Sequence, residues 1–457
     1  MIDLVQQLID LVGSAHVLTG NAIHDDYTHD ESLGSEHRRP AAVVRPANTT
    51  EVAAVARFAN ELRVPLTARG AGTGLSGACI PSENGVVLST ERLNAILEVD
   101  IENHVAVVEA GVTLSQLDEA TRAEGLTYPV YPGEYSATLG GNVATNAGGM
   151  RAVKYGVTRH QVLGLEAVLP SGDVIRTGGK FVKATTGYDL TQLVLGSEGT
   201  LAIVTEATLK LYPRPPHVAT LLAPFATLHQ VANAVPRIVT SGLDPLILEY
   251  IDLMSMAATT TSIGLDLGIP QEIKDTALAY LVVMLEDHHE DRLDADIAAA
   301  GEMLSSLGAL DVYVLPSHQA AKLLEAREKA FFVAKDHGAN DIIDVVVPRA
   351  SVPEYLTIAT EIAQTHQTWV SGAGHAGDGN VHLAVFQPDP EIRHKVMRAM
   401  LEAGMALGGA ISAEHGIGTE KKRYFLELED PVKIDLMRRI KTAFDPNGIL
   451  NPGILFD

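Results

Sequence analysis

Along most of the chain, short apolar runs alternate with stretches whose apolar residues recur at helical spacing, the wiring of a protein built from strands and helices in turn. From Pro40 onward the pattern predicts a strand over 41–45, a helix opening near Thr49 with Glu51 in its first turn, and a strand over 65–69. Strand-like runs follow at 85–88, 96–99 and 104–109, then a helix after Thr113, then a glycine-dense stretch from Gly140 to Gly149. Two longer strands are predicted at 163–169 and 201–211.

The clustered prolines of Tyr212-Pro213-Arg214-Pro215-Pro216 stop regular structure and mark a domain boundary, giving expected domains 1–215 and 216–457. Beyond them, strands at 246–251, 279–285 and 309–315 alternate with helices at 229–240, 291–306 and 353–366. A helix over 432–443 runs into Phe444-Asp445-Pro446-Asn447-Gly448-Ile449-Leu450-Asn451-Pro452-Gly453, a dense turn. So many conformationally restricted residues predict a tail pinned to another part of the protein.

A chain of 457 residues exceeds what one hydrophobic core usually serves, in line with two domains. Its 46% apolar residues, 5% aromatics and 40 glycines suit a mixed helix and sheet fold with many tight turns, not a disordered or fibrous chain. The net charge of −23 argues against nucleic acid or an anionic membrane as a partner, because the field repels phosphate. Cys79 is the sole cysteine, so there is no internal disulfide and no CxxC site, which fits a reducing cytoplasm. Residues 1–12 mix apolar positions with Asp3, Gln6, Gln7 and Asp10 and read as a surface helix, not a signal. No stretch approaches the roughly 20 apolar residues of a membrane span, so any membrane contact is expected to go through a partner.

The segment Arg69-Gly70-Ala71-Gly72-Thr73-Gly74-Leu75-Ser76-Gly77 follows a predicted strand and contains GxGxxG at Gly72, Gly74 and Gly77. Glycines let backbone N–H groups approach an anion, so the pattern fits a pyrophosphate cradle or a plain tight turn. A nicotinamide-dinucleotide site would need a helix directly after Gly77, and Pro81 with the turn Ser82-Glu83-Asn84-Gly85 leaves no room for one. A second loop of small residues, Thr138-Leu139-Gly140-Gly141-Asn142-Val143-Ala144-Thr145-Asn146-Ala147-Gly148-Gly149, could lie along a flat cofactor. Two such loops favour a large dinucleotide.

Together with Gly187-Tyr188-Asp189-Leu190 and Gly196-Ser197-Glu198-Gly199-Thr200-Leu201, these loops resemble the FAD-binding domain of the vanillyl-alcohol oxidase/PCMH-type flavoproteins. The resemblance runs over nearly the whole chain and is greatest to FAD-linked D-lactate dehydrogenases and glycolate oxidase flavoprotein subunits. It implies an α+β architecture: a PCMH-type FAD-binding domain of two α/β subdomains, then a substrate cap domain with an antiparallel sheet flanked by helices. It implies that Arg69, Gly70, Ala71, Gly72, Thr73, Gly74, Ser76 and Gly77 wrap the FAD pyrophosphate. Pro132, Thr138, Gly141, Asn142, Thr145, Asn146 and Gly148 would line the isoalloxazine and ribityl side, with Gly199 and Ile203 nearby. Residues from about 430 to 457 would return to the FAD domain and bring Asn451 to the flavin. Relatives with covalent flavin carry a histidine where this chain has Thr73, so the resemblance implies non-covalent FAD and leaves Cys79 a bystander.

In Gly374-His375-Ala376-Gly377-Asp378-Gly379-Asn380-Val381-His382 the glycines make a helix improbable. If Asp378-Gly379 is the two-residue turn of a hairpin, His375 pairs with His382 across the strands, close enough for both imidazoles to reach one metal ion. Glu414, in Ser412-Ala413-Glu414-His415-Gly416, is a third candidate ligand, completing a set of two histidines and a carboxylate with open positions for substrate. Spacing alone fits equally an ordinary pair of half-buried histidines. The resemblance implies His375, His382 and Glu414 as ligands of a divalent metal, zinc, manganese or iron, and His415 as the catalytic base.

Hydride transfer from a hydroxy acid to flavin N5 requires the hydroxyl to lose its proton, a task suited to histidine near neutral pH, and a metal would stabilise the developing alkoxide. Arg327, which pattern alone reads as a solvated helix residue, matches the family's carboxylate-binding arginine. Relatives acting on 2-hydroxyglutarate carry a basic residue near Ile342 and Ile343, and Phe331 and Phe332 would make the neighbouring pocket apolar. A small monocarboxylate, D-lactate or glycolate, is therefore expected. The alternatives are a D-2-hydroxyglutarate dehydrogenase, a flavoprotein subunit of a multi-subunit glycolate oxidase complex, and a non-catalytic metal-binding module. The electron acceptor is expected to be a cytochrome, a quinone or an electron-transfer protein, and the assembly a homodimer or part of a complex.

Overall fold

In the computed structural model, which describes residues 4–34 and 36–456, most strands gather into three sheets. Residues 1–3 of the predicted N-terminal helix lie outside the described residues; the rest forms the helix Leu4–Val12, which buries Leu8 and Val12. The first sheet has the order Val17–Leu18, Ala42–Val44, Val86–Ser89, Leu66–Arg69, with the last three strands parallel. Those strands are apolar nearly throughout because helices and loops cover both faces. The helix Thr49–Leu62 starts where the Asn48 side chain accepts the Glu51 N–H and stops at left-handed Arg63. Its face of Val52, Val55, Ala56 and Ala59 packs into the core of this sheet.

The second sheet is antiparallel, in the order Ile96–Asp100, Val105–Glu109, Ile203–Lys210, Val162–Val168, Val174–Gly178. Against it sits a short helix, Leu139–Thr145, where the glycine-dense stretch predicts a loop. Thr138 caps that helix by accepting the Gly141 N–H, and Asn146 ends it in the left-handed conformation. The helix tolerates two glycines because it lies tight on the sheet: a side chain at Gly140 would come within 2.6 Å of Ala110 Cβ.

The third sheet has seven antiparallel strands in the order Tyr313–Leu315, His217–Phe225, Ala279–Asp287, Ile247–Asp252, Trp369–Gly374, Asn380–Phe386, Asp341–Val346. Helices Leu228–Val239, Glu290–Ser306, Val352–Thr365 and Pro390–Ala406 contribute to the main core on it. The hairpin around Asp378-Gly379 differs from the two-residue turn expected from sequence. Ala373, not His375, pairs with His382, and His375 opens a wider turn whose carbonyl accepts the N–H groups of Asp378, Gly379 and Asn380. Left-handed Gly379 (φ 95°) sits in this wider turn, and its carbonyl accepts the Val347 N–H at 3.1 Å.

The tail is pinned to the edge of the first sheet. Leu66 N–H donates to Ile449 O, Asn451 N–H donates to Leu66 O, and the buried Asp445 carboxylate accepts from Ile449 N–H, Leu450 N–H and Lys441. No helix among the described residues is long and apolar enough to cross a membrane.

Candidate active site

An open cleft of about 1310 Å³ runs between the first two sheets and the loop that carries Glu414 and His415. Of the residues singled out for the cofactor, Arg69, Gly70, Ala71, Gly72, Thr73, Gly74, Ser76, Pro132, Thr138, Gly141, Asn142, Thr145, Gly148, Gly199 and Ile203 line it. Gly77, Asn146 and Asn451 do not: Asn146 is occupied as a helix end, and the Asn451 side-chain amide ties the carbonyls of Ala78 and Glu198 together behind the wall, each at 2.7 Å. Gly72 is left-handed (φ 80°), and a Cβ there would lie 1.9 Å from Arg69 Nη2, so the loop closes over its own arginine.

The lining fits a cofactor rich in polar atoms. Ser76 Oγ, Asn142 Nδ2 and Asp30 Oδ2 are buried without a protein partner, and each belongs to a residue on the wall. Asp30 and Glu134 escaped the sequence reading because they arrive from segments outside the glycine loops, and Ser197 and Glu198, although inside the quoted segment 196–201, were not singled out. Glu198 has a second task, accepting the N–H groups of Ile417 (2.8 Å) and Gly418 (2.7 Å) and so fastening the Glu414 loop to the cleft. Cys79 also lines the cleft, 3.3 Å from Arg69 Nη1, and burial pushes its thiol up to about 12, which keeps it inert.

A second cleft, about 770 Å³, meets the first. Leu75, Pro132, Glu414 and His415 line both. At the junction His375 Nε2 and His382 Nε2 lie 3.2 and 3.3 Å from Glu414 Oε1, with the two imidazole centroids 5.0 Å apart and nearly perpendicular. The three ligand atoms fall within 4.8 Å of one another, so the set can hold a metal ion although the hairpin register differs from expectation. Asp344, His382 and His415 meet the same criterion, but the Asp344 carboxylate already accepts from Ser412, Lys421 and the N–H groups of residues 413–415.

Buried carboxylates stand behind the histidines. His375 Nδ1–H donates to Glu249 at 2.5 Å, and Asp344 lies 3.6 Å from His382 Nδ1, an arrangement that turns each Nε2 toward Glu414. Burial opposes charge on His375, yet Glu249 and Glu414 outweigh it and hold its proton far above the usual histidine range. That proton balances the buried carboxylates where a cation could do so. His415, stacked on His382 at 5.0 Å, is the reverse case: burial pushes its imidazole down to about 4 despite the pull of Asp344. Glu249 and Asp344 were missed in sequence, and their only trace is an acid inside an apolar strand.

Arg327 is not the solvated residue that pattern alone predicts. Its side chain is 12% exposed, pairs with Glu249 at 3.0 Å and lines the second cleft, while its Nε has no partner. Phe331 and Ile342 also line that cleft; Phe332 turns outward and Ile343 enters the core.

Residues 214–455 match the family described as FAD linked oxidases, C-terminal domain, and residues 40–178 match the FAD binding domain. The chain is 58% identical over 456 residues, covering 100% of it and 99% of the relative, to a Mycobacterium tuberculosis protein named as an uncharacterized FAD-linked oxidoreductase. It is 40% identical to a D-lactate dehydrogenase of Archaeoglobus fulgidus (94% and 95% covered) and 36% identical to the glycolate oxidase subunit GlcD of Bacillus subtilis (99% and 97% covered). In fold it is similar to 4-ethylphenol oxidase from Gulosibacter chungangensis, with a TM-score of 0.78 at 19% identity, over 99% of this chain and 96% of that one. The two-cleft fold and these matches define an FAD-dependent oxidoreductase. The chain belongs to the FAD-linked oxidase family.

Proposed function

We propose that this protein is a 2-hydroxy-acid dehydrogenase that oxidises D-lactate or glycolate to the 2-oxo acid. The observation that carries this reading is the shared wall: His415 and Glu414 face the cofactor cleft and the second cleft at once. A substrate in the second cleft would therefore lie beside a base and a metal-holding set, next to the cleft that would hold the cofactor. Residues 1–215 form the FAD domain in this reading and 216–457 the cap, with 430–457 returning to the first.

FAD, bound without a covalent link, supplies the hydride acceptor, and a divalent zinc, manganese or iron ion held by His375, His382 and Glu414 supplies a Lewis acid for the hydroxyl. His415 is neutral at physiological pH. Its Nδ1 lies 3.8 Å from Asp344, which favours the proton on that nitrogen and leaves Nε2 to take the hydroxyl proton. Arg327 holds the carboxylate, kept in place by Glu249. Phe331 and Ile342 give part of the cleft an apolar lining, and among its described lining residues Arg327 is the sole arginine or lysine while Glu328 adds a carboxylate, which suits a monocarboxylate better than 2-hydroxyglutarate. The electron acceptor in this reading would be a cytochrome, a quinone or an electron-transfer protein. The likeness to GlcD, named as a glycolate oxidase subunit, supports action within a complex as a second reading.

Anaerobic mixing of the yellow protein with D-lactate, L-lactate, glycolate and D-2-hydroxyglutarate tests the reading. Flavin bleaching is expected to be fastest with D-lactate or glycolate. Fastest bleaching with D-2-hydroxyglutarate, or none with any acid, overturns it.

A further inference from the structure

We infer that Asp25, His29 and His37 form a second divalent-metal site, sharing no residue with the histidine cluster of the active site, at the neck of a strap whose Asp30 lines the cofactor cleft. The short helical turn Asp25–Thr28 leads into a loop whose neck is closed by Arg38 N–H donating to Thr28 O at 2.9 Å. The next rung places His29 opposite His37, their rings stacked 4.1 Å apart at 23°. Asp25, four residues before His29, comes round to the same side. Its Oδ2 lies 3.9 Å from His29 Nε2 and 3.7 Å from His37 Nδ1, and the three ligand atoms fall within 4.8 Å of one another.

A second observation sets the tautomer. His29 Nδ1 lies 3.0 Å from the Asp30 carbonyl oxygen, which can only accept, so that nitrogen carries the hydrogen and Nε2 turns a lone pair toward Asp25. Thr28 Oγ1 donates to the Asp25 carbonyl oxygen at 2.6 Å and lies 3.2 Å from Oδ1, on the side of the carboxylate away from the site, which leaves Oδ2 free for it. Two imidazoles and one carboxylate select zinc or another late first-row ion over magnesium or calcium, which prefer oxygen. The side chains of Asp25 and His37 are 71% and 58% exposed, so water can complete the coordination.

The strap beyond this neck touches both halves of the molecule. Asp30 lines the cofactor cleft, Glu31 N–H donates to Gly74 O at 2.9 Å, and the Glu31 carboxylate lies 3.5 Å from Lys335 on the cap helix Ala330–Asp336. A metal ion at the neck would fix the ends of this strap, hold Asp30 in the cleft wall, and so slow escape of a cofactor bound against it.

The test is zinc binding by the FAD-loaded chain, counted by equilibrium dialysis against zinc at micromolar concentration. Asp25→Asn with His37→Ala, both at exposed positions, is expected to bind one equivalent fewer than wild type and to lose any slowing of FAD release by zinc. His375→Ala with His382→Ala removes a different equivalent and leaves the strap's intact, so the two metal assignments stand or fall separately. Unchanged zinc stoichiometry in the Asp25→Asn/His37→Ala protein overturns the inference.

Discussion

Glu249 accepts the His375 Nδ1 hydrogen at 2.5 Å while its other oxygen pairs with Arg327 at 3.0 Å, so one buried carboxylate orients both a candidate metal ligand and the candidate substrate anchor. Glu249→Gln keeps the shape but lowers the pull on His375 and releases Arg327. Loss of such an outer partner typically costs about 10–100-fold in metal affinity. Competition with a chromophoric chelator is expected to show a weakening in that range, with KM for the acid rising as well. Unaltered values for both would remove Glu249 from this role.

Cofactor retention depends on backbone that only glycine fits. At Gly72 the left-handed conformation and the 1.9 Å approach to Arg69 Nη2 combine, so Gly72→Ala must either open the loop or displace the arginine. We expect FAD to dissociate at least about tenfold more readily, equivalent to roughly 1.4 kcal/mol. Flavin fluorescence on dilution reads this directly.

Polarity at one position is expected to decide chain length and charge of the substrate. Ile342 lines the second cleft, while its neighbour Ile343 is buried in the core. Ile342→Arg would supply the second cation that a dicarboxylate needs. The ratio of kcat/KM for D-2-hydroxyglutarate over D-lactate should rise at least about tenfold, the usual scale for one charge-assisted hydrogen bond of roughly 1.5 kcal/mol or more. A ratio that does not rise would place the distal end of the substrate elsewhere.

The acid side of the pH profile follows from His415. Burial lowers its pKa to about 4 in the folded protein, below the ordinary value near 6.5. The base therefore stays neutral as pH falls through 6, and a metal ion beside it would shift it in the same direction. The acid limb of kcat/KM is expected below about pH 5, not near 6.5. The same shift makes stability fall with pH between roughly 6.5 and 4, because the unfolded chain binds a proton there that the folded chain refuses.

Much of this was legible in the chain because the cofactor loops write their demands in glycine. Gly72 and its neighbouring glycines mark a special backbone from spacing alone, which fits a cradle or a tight turn equally, and the second loop with the resemblance tips it toward the cofactor. The hairpin holding His375 and His382 was read two residues too tight, since the His375 carbonyl closes a wider turn by accepting three N–H groups. The two rings still converge because His375 sits at the mouth of the wider turn. Glu249 and Asp344 were not legible: each is one of two acids in a largely apolar strand, and its partners come from segments distant in sequence. Spacing alone reads Arg327 as solvated for the same reason, since helical periodicity cannot reveal a buried anion opposite; the resemblance is what singled it out.

The most direct test of the account is the rate of anaerobic flavin reduction by D-lactate in His415→Ala, with FAD occupancy and metal content measured on the same sample. With both retained, a fall of about 10²–10⁴-fold, the usual contribution of a positioned base, is the predicted result. Reduction as fast as in the wild type would contradict the assignment of His415 as the group that takes the hydroxyl proton.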